Sequence, residues 1–330
     1  MMNRQIVLAA RPTGAAGVEH FRLQEAPIPS VGEGEVLVKT RFFSVDPYMR
    51  MRMNDVKSYA PPQKLNEVMG GGSAGIVVES RFSGLVAGDA VVMGGGWQEY
   101  ALLPGKTLRK VDASALPLEA YLGPAGMTGV TAWHGLFNII APKAGETVLV
   151  SAAAGAVGSV VGQLAKQVGA RVVGVAGGAE KCRHVVDDLG FDACVDYKAG
   201  DLAAALQAAC PDGIDGIFEN VGGVVMDTAL RHINTFGRVA ICGLISGGYG
   251  GGKMPMADIT MLLTQRVLVK GFILSDHADV FPVALPALAT KVAAGEIKWR
   301  RTITRGIENG AAAFIGMLAG ANIGKALVEV

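Results

Sequence analysis

This chain has few cysteines, and its potential metal ligands are not clustered in the sequence. Only four cysteines occur in 330 residues, at Cys182, Cys194, Cys210 and Cys242, and no two of them form a CxxC pair. The five histidines are equally dispersed. A tetrahedral zinc site therefore has no candidate set of ligands, and we expect no metal. Scattered thiols without pairing are typical of a reducing compartment, so we expect a cytoplasmic location.

An excess of charge of one sign is also missing. The 30 Lys and Arg residues nearly balance the 29 Asp and Glu residues, for a formal net charge of +1. This balance gives no electrostatic reason to expect nucleic acid or an acidic membrane surface as a partner. A long uncharged stretch, residues 148–165, approaches the length of a membrane-spanning helix. Glycines at 155, 158 and 162 interrupt it, so a strand, a turn and a helix explain it better than a membrane span.

The chain is poor in aromatic and charged residues and rich in small apolar ones. Aromatic residues make up 6% and charged residues 18%, whereas 50% are hydrophobic. Such a composition suits parallel β-sheets, whose strands are covered on both faces. The length predicts two domains of roughly 150 residues each.

A glycine turn at residues 152–158 is the most informative local feature. A run rich in β-branched residues ends in Ser151, the turn follows, and a helix-compatible run extends from 159 to 168. In a βαβ unit this order points the N-terminus of a helix at a pyrophosphate. The spacing Ala153-x-Gly155-x-x-Gly158 matches the dinucleotide fingerprint, with alanine in place of the first glycine. A tight turn between two buried elements is the alternative, and the strand–turn–helix–strand context favours the nucleotide.

The end of the next strand indicates which nucleotide binds. A site for NAD places Asp or Glu there to hold the ribose 2′-hydroxyl. This chain has Gly177, Gly178 and Ala179 instead, and Lys181 follows. A lysine attracts a 2′-phosphate by roughly 1 kcal/mol in water and roughly 4 kcal/mol at an effective dielectric constant of 20. The sequence thus predicts NADP(H), unless Lys181 is an ordinary solvated helix residue.

Strand and helix patterns divide the chain into two kinds of region. Residues 1–122 are β-rich and residues 299–330 return to strand-like character, whereas residues 146–273 alternate strands with helices. Alternation predicts an α/β fold with a doubly wound parallel sheet, here inserted into a discontinuous β-rich domain. Several helical stretches are predicted to end in left-handed glycine caps, at Gly169, Gly190 and Gly237. The predicted strands are at 35–44, 75–79, 90–93, 146–151, 171–176, 193–197, 216–219, 238–243 and 267–273.

Six segments carry a resemblance that runs nearly the length of the chain. They are VDPYMR at 45–50, GMTG at 126–129, AAAGAVG at 152–158, FENVGG at 218–223, CGLIS at 242–246 and ANIGK at 321–325. In these segments the chain resembles the zinc-independent branch of the medium-chain dehydrogenase/reductase superfamily. Within that branch it is similar to the prostaglandin reductase (leukotriene dehydrogenase), alkenal/one oxidoreductase and curcumin-reductase-like group. The resemblance implies a GroES-like substrate and catalytic domain (1–122 and 299–330), a Rossmann domain that binds NADPH (123–298), and a homodimer that pairs the nucleotide-domain sheets.

The resemblance also implies which positions contact NADPH. Several of them follow the carboxyl ends of predicted strands, where doubly wound sheets bind their ligands. Tyr197 has the alternative of a half-buried strand tyrosine. The implied positions are Gly155, Ala156, Val157, Gly158, Lys181, Tyr197, Asn220, Cys242, Gly243, Leu244, Ile245, Ser246, Phe272, Ile273, Leu274 and Asn322.

On the substrate side the resemblance points to tyrosines. Tyr48, in the Asp46-Pro47 turn, and Tyr59 are implied to line the substrate cleft, although an Asp-Pro turn is also an ordinary surface feature. Tyr249 lies in a glycine-rich stretch, 247–252, that suits a mobile loop near the nicotinamide or a disordered connection. The catalytic candidates are Tyr249 and Tyr48. The glycine spacing around Tyr249 departs from the mammalian members, and a second tyrosine of theirs aligns with Thr264.

The expected activity is NADPH-dependent reduction of the carbon–carbon double bond of α,β-unsaturated ketones or aldehydes. Hydride addition to the β-carbon leaves an enolate, whose oxygen a tyrosine hydroxyl stabilises. A zinc-independent NADPH:quinone oxidoreductase and a non-enzymatic NADPH-binding protein are the alternatives, because fold alone does not determine function.

Overall fold

The structure is a computed structural model that describes residues 2–247, 254, 256 and 258–330. The chain forms two compact units, which are Met1–Gly123 with Arg301–Val330, and Pro124–Arg300. We call them the β-rich unit and the nucleotide unit. The predicted division into a substrate domain and an NADP-binding domain stays a prediction.

Short strands dominate residues 2–110, and from residue 127 onward helices alternate with strands. The strands are β1 (Met2–Leu8), β2 (Phe21–Pro27), β3 (Glu35–Ser44), β4 (Ser73–Ser80), β5 (Ala90–Met93), β6 (Tyr100–Pro104), β7 (Arg109–Lys110), β8 (Thr147–Ser151), β9 (Arg171–Ala176), β10 (Ala193–Asp196), β11 (Ile214–Glu219), β12 (Ile233–Ile241), β13 (Leu268–Gly271), β14 (Arg301–Arg305) and β15 (Lys325–Glu329). The helices are α1 (Tyr48–Arg52), α2 (Met127–Trp133), α3 (Gly158–Val168), α4 (Ala179–Arg183), α5 (Leu202–Ala209), α6 (Gly223–Leu230), α7 (Thr260–Thr264), α8 (Phe281–Ala293) and α9 (Gly310–Leu318).

A parallel sheet organises the nucleotide unit. Within the described residues it has six strands in the order β10-β9-β8-β11-β12-β13, and every pairing is parallel. The strand order reverses between β8 and β11, which is the position where such sheets bind ligands. Val148, Leu149 and Val150 of β8 are fully buried, as expected for a strand covered on both faces. The predicted doubly wound fold is confirmed.

The β-rich unit is built mainly from antiparallel strands. Its larger sheet has the order β14-β15-β3-β4-β5-β7, with β6 also paired to β3, and β1 pairs with β2 separately. Its core contains a cluster of aromatic rings, in which the Trp97 ring stacks on Phe43 at 5.4 Å between centroids and meets Phe314 at 5.5 Å. The indole Nε1 donates to the Ser44 carbonyl at 3.1 Å, which fixes the end of β3.

One predicted helix cap is wrong. Gly169 and Gly190 have left-handed φ values of 89° and 74°, as predicted. Gly237, however, lies inside β12, and the left-handed residue is its neighbour Phe236, with φ 64°. A Cβ on Gly237 would collide with the Ile233 side chain, so close packing rather than a helix end requires this glycine.

None of the described helices combines the length and apolar character that crossing a bilayer requires.

Candidate cofactor and substrate site

The turn between β8 and α3 leaves no room for a side chain at its last glycine. Ala152 adopts a left-handed φ of 49°, and Gly155 N donates to the Ala152 carbonyl at 2.9 Å. A Cβ on Gly158, the first residue of α3, would lie 2.5 Å from that carbonyl oxygen. The glycine therefore lets the helix start directly against the strand end, and the positive end of its dipole faces the turn.

Ala153 stands at the first glycine position of the fingerprint, and a glycine on the neighbouring strand makes space for its methyl group. Ala153 is fully buried, and a Cβ on Gly174 of β9 would lie 2.8 Å from the Ala153 Cβ. The missing side chain at Gly174 thus makes space for the extra methyl group. This explains how the turn keeps its form although the motif departs from three glycines.

Two lysines lie near one another after β9 and β10. Burial lowers the pKa of Lys181 in α4, and the positive charge of Lys198 lowers it further. The Lys198 ammonium lies 5.8 Å from the centre of the Tyr197 ring. Asp196 Oδ1 accepts from Gly178 N at 2.8 Å and from Lys198 N at 3.0 Å, which ties the two loops together. A phosphate here would relieve the repulsion between the lysines; sequence reasoning found Lys181 and Tyr197 but missed Lys198.

The loops after β11 and β12 are bonded to each other and to the end of β8. Asn220 N donates to Ser151 Oγ at 2.7 Å, and Asn220 Nδ2 donates to the Ser151 carbonyl at 2.8 Å. Ile245 N donates to the Asn220 carbonyl at 3.2 Å, and Ser246 N donates to that of Val221 at 2.9 Å. The predicted residues Asn220, Ile245 and Ser246 therefore belong to one hydrogen-bonded group at the carboxyl edge of the sheet.

Glu219 is the buried centre of this group and was not predicted. It is fully buried at the end of β11. Its Oε1 accepts from Ser151 Oγ at 2.8 Å, Val221 N at 2.5 Å and Gly222 N at 2.7 Å. Its backbone carbonyl accepts from Cys242 N at 2.9 Å and from the next amide, of Gly243, at 3.1 Å. Burial raises the pKa of Glu219, although these hydrogen bonds oppose the shift.

The predicted segment after β13 reaches the same edge of the sheet. Phe272 N donates to the Ile241 carbonyl at 3.3 Å. The Phe272 ring lies 5.2 Å from the imidazole of His134 and 6.3 Å from the Phe218 ring, between centroids. Ile273 and Leu274 follow directly. The segments that follow β8, β9, β10, β11, β12 and β13 thus contain all the predicted cofactor residues of the nucleotide unit.

In the β-rich unit, Tyr48 begins α1 next to a buried ion pair. The Lys325 ammonium donates to Asp46 Oδ1 and, at 2.5 Å, to Ser44 Oγ, and Ser44 Oγ donates to Asp46 Oδ2. Lys325 is 2% exposed and Asp46 7%. Burial raises the pKa of the Tyr48 phenol, and the Asp46 carboxylate adds to this rise. The buried ion pair therefore holds the turn in place, and the Tyr48 phenol stays protonated.

The remaining predicted residues are more scattered. Tyr59 is 44% exposed and lies close enough to Tyr48 to raise the pKa of that phenol further. Asn322 lies in the β-rich unit just before β15, and its Nδ2 donates to the Gly324 carbonyl at 2.8 Å. Tyr249 lies outside the described residues. The roles of all three stay predictions.

The nucleotide unit fits a dinucleotide that carries a 2′-phosphate. The cradle at Gly158 would be filled by any Cβ, and the region after β9 and β10 presents two ammonium groups. No group of three or more His, Cys, Asp or Glu side chains able to hold a metal ion occurs in the described part of the chain.

Comparison with known proteins agrees with this geometry. Residues 4–111 match the family model for the N-terminal domain of oxidoreductase, and residues 156–290 match the model described as zinc-binding dehydrogenase. The chain is 44% identical to the NADPH-dependent curcumin reductase of Escherichia coli, over 99% of this chain and 97% of that protein. It is 42% identical to prostaglandin reductase 1 of Rattus norvegicus, over 94% of each. A crystal structure of CurA from Vibrio vulnificus in complex with NADPH has a TM-score of 0.94 at 42% identity, covering 99% of both chains.

Proposed function

This chain belongs to the medium-chain dehydrogenase/reductase superfamily, in the group of NADPH-dependent curcumin and prostaglandin reductases, and from that premise we propose a specific reaction. The protein is an NADP-dependent oxidoreductase acting on CH–CH bonds. We propose that its substrates are α,β-unsaturated ketones or aldehydes, which it reduces at the carbon–carbon double bond. The observation that carries the proposal is the similarity over nearly the whole chain to a curcumin reductase.

The chain's own residues would hold NADPH at the carboxyl edge of the parallel sheet. The turn Gly155–Gly158 and the start of α3 would bind the pyrophosphate, and Lys181, with Lys198 beside it, would bind the 2′-phosphate. The loops that contain Asn220, Cys242–Ser246 and Phe272–Leu274 would contact the nicotinamide half, and Asn322 of the β-rich unit stays a predicted NADPH contact. When bound, the cofactor supplies the hydride.

The protein's chemical contribution is to stabilise negative charge on the substrate carbonyl oxygen. After hydride addition to the β-carbon this oxygen carries the enolate charge, and each aligned donor lowers the barrier by roughly 3 kcal/mol. Tyr48 suits this role because its phenol is protonated at neutral pH and can donate a hydrogen bond; burial and Asp46 raise its pKa further. Tyr249 is the second candidate donor, and Tyr59 would contact the substrate.

The reaction is tested by identifying the product formed from a simple enone. With NADPH and a 3-alken-2-one we expect the saturated ketone, with its carbonyl intact. An allylic alcohol as the main product would contradict the proposal. An enone left untouched while quinones are reduced would support the quinone oxidoreductase alternative instead. Binding of NADPH without turnover of any enone, enal or quinone would support the non-enzymatic alternative.

The edge of the parallel sheet supports a homodimer. Within the described residues β13 is the outermost strand of the sheet, and Leu268 on it is 52% exposed. Nearby in sequence, Leu263 is 78% and Ile259 70% exposed. An open strand edge with exposed apolar side chains is a ready template for pairing. We expect a dimer in light scattering that becomes a monomer in Leu268→Lys; a monomeric wild-type protein would contradict this.

The four cysteines are free thiols, which supports the proposed cytoplasmic location.

A further inference from the structure

The strand order of the nucleotide unit separates the two halves of the cofactor. The pyrophosphate turn follows β8 in the middle of the sheet, and the two lysines that suit the 2′-phosphate follow β9 and β10 on one side. The nicotinamide half then belongs on the other side, over the ends of β11, β12 and β13. Glu219 is the last residue of β11. Its carboxyl group therefore lies at the carboxyl end of the first strand on the nicotinamide side of the sheet.

The surroundings of Glu219 are unusual for a buried carboxyl group. All its donors are neutral, namely one hydroxyl and two backbone amides on Oε1. Its Oε2 is buried and has no hydrogen-bond partner among the described residues. No cation in the described part of the chain forms an ion pair with it. Among the described residues, a carboxylate in this place is stabilised by hydrogen bonds from neutral groups and by no opposite charge, whereas buried charges are normally paired.

We propose that Glu219 responds to the redox state of the nicotinamide, holding its proton when the ring is neutral in NADPH and releasing it when the ring is cationic in NADP⁺. The inference rests on NADP(H) as the cofactor and is independent of the proposed enone substrate. Glu219 thereby adjusts the relative affinity for the two forms of the cofactor. It acts through charge and does not need to touch the reacting atoms.

The physical basis is the balance between burial and attraction. Burial raises the pKa of Glu219, so the neutral acid is favoured more than it would be in water while no cation is near. A positive charge close by favours the carboxylate and lowers the pKa again. The titratable group that faces Glu219 is Cys242 at the end of β12, whose thiol has a pKa raised to about 12 by burial and by Glu219. That thiol stays neutral, so within the described residues Glu219 is the group expected to change its protonation.

The test compares the dissociation constants of NADP⁺ and NADPH as a function of pH. Between the pKa values of Glu219 in the two complexes, the ratio of Kd for NADP⁺ to Kd for NADPH should fall with rising pH, by up to about tenfold per pH unit. The 2′-phosphate titrates near pH ~6, but it is present in both cofactors and cancels in the ratio. Calorimetry in two buffers of different ionisation enthalpy should show proton release on binding NADP⁺ and much less on binding NADPH.

Two variants assign the effect to Glu219. Glu219→Gln keeps an oxygen for the three donors and removes the titration, so its ratio should not depend on pH. Asp215→Asn is the matched control, because Asp215 lies near the opposite end of the same strand, where it accepts from Thr147 N at 2.8 Å. This control should keep the wild-type slope.

A wild-type ratio that is constant with pH, or equal proton release with both cofactors, would overturn the inference without any variant. A slope retained in Glu219→Gln would overturn it as well. Enone turnover enters none of these measurements, so failure of the proposed reaction and failure of this inference are distinguishable.

Discussion

In the β-rich unit the turn that carries Tyr48 is fixed by charge, whereas in the nucleotide unit the loops after β8 and β11 are fixed by neutral hydrogen bonds. Asp46 is paired with the Lys325 ammonium in the protein interior. Glu219 is buried as deeply, yet among the described residues its hydrogen-bond donors are a hydroxyl and backbone amides. The two carboxyl groups are thus buried to a similar extent, but one is paired with a cation and the other with neutral hydrogen-bond donors.

The two arrangements suit different tasks: the ion pair at Asp46 holds one geometry, whereas the neutral surroundings of Glu219 allow its charge to change. Removal of one partner of a buried ion pair leaves an uncompensated charge, so the Asp46–Lys325 pair holds its turn in one state. A carboxyl group among neutral donors can gain or lose its proton without breaking a pair. The first arrangement suits a residue that must point in one direction, and the second suits a site whose ligand changes charge.

The largest expected effect comes from breaking the ion pair. Lys325→Met leaves Asp46 buried without its cation, which typically lowers the free energy of unfolding by about 3–5 kcal/mol. Urea titration of the two proteins measures it. Lys64→Met is the matched control, because the Lys64–Glu67 pair is exposed and such pairs contribute about 0–1 kcal/mol. Lys325→Met combined with Asp46→Asn should recover part of the loss; a single variant as stable as the control would refute the contrast between the two units.

A loss nearly as large is expected in turnover when the tyrosine on that turn loses its hydroxyl. Removal of one donor to a developing oxyanion costs about 10²–10³ in kcat, so Tyr48→Phe should slow enone reduction by that factor. NADPH affinity should remain unchanged, since no predicted cofactor contact is altered. Tyr59→Phe serves as the control and should reduce turnover less. Wild-type turnover in Tyr48→Phe would transfer the donor role to Tyr249.

The sequence predicted several strands better than the long-range contacts that stabilise the fold. The strands Arg171–Ala176, Glu35–Ser44 and Ala90–Met93 have their predicted bounds, because β-branched runs between turn residues are a local signal. Lys325 and Asp46 are 279 positions apart. No local sequence pattern indicates such a pair. The sequence therefore predicted the turn at Tyr48 but not the Asp46–Lys325 ion pair that holds it in place.

Glu219 was missed and Gly237 was wrongly predicted, for related reasons. Glu219 stands inside the matched segment FENVGG, but a carboxyl group at a strand end gives no sign of whether it is solvated, paired or buried alone. Gly237 was predicted as a helix cap because glycine marks both left-handed turns and close packing. The choice between these meanings depends on Ile233, whose side chain fills the space beside it.

In the nucleotide unit the turn after β8 should respond to shape rather than charge. Gly158→Ala would place a Cβ 2.5 Å from the Ala152 carbonyl oxygen, and such overpacking costs about 1–3 kcal/mol of unfolding free energy. NADPH binding should weaken with it. Gly155→Ala is the matched control, because its nearest neighbour would be that same oxygen at 3.1 Å. Equal losses in the two variants would show that steric space at Gly158 is not what the turn requires.

The smallest effect concerns the charged groups of the nucleotide unit that are proposed to meet the 2′-phosphate. Lys181→Ala should weaken NADPH binding by about tenfold, or about 1.4 kcal/mol, and leave NADH binding unchanged, since only NADPH has the 2′-phosphate. Lys198→Ala should act in the same direction and less strongly, because its ammonium also lies over the Tyr197 ring. Fluorescence titration with both cofactors measures this. In Lys181→Ala the charge of Lys198 remains, so the preference for NADPH should shrink rather than vanish. Equal weakening of NADPH and NADH would mean that Lys181 supports the fold of α4 instead of reading the phosphate, and the nucleotide unit would then recognise its ligand by shape and neutral hydrogen bonds alone.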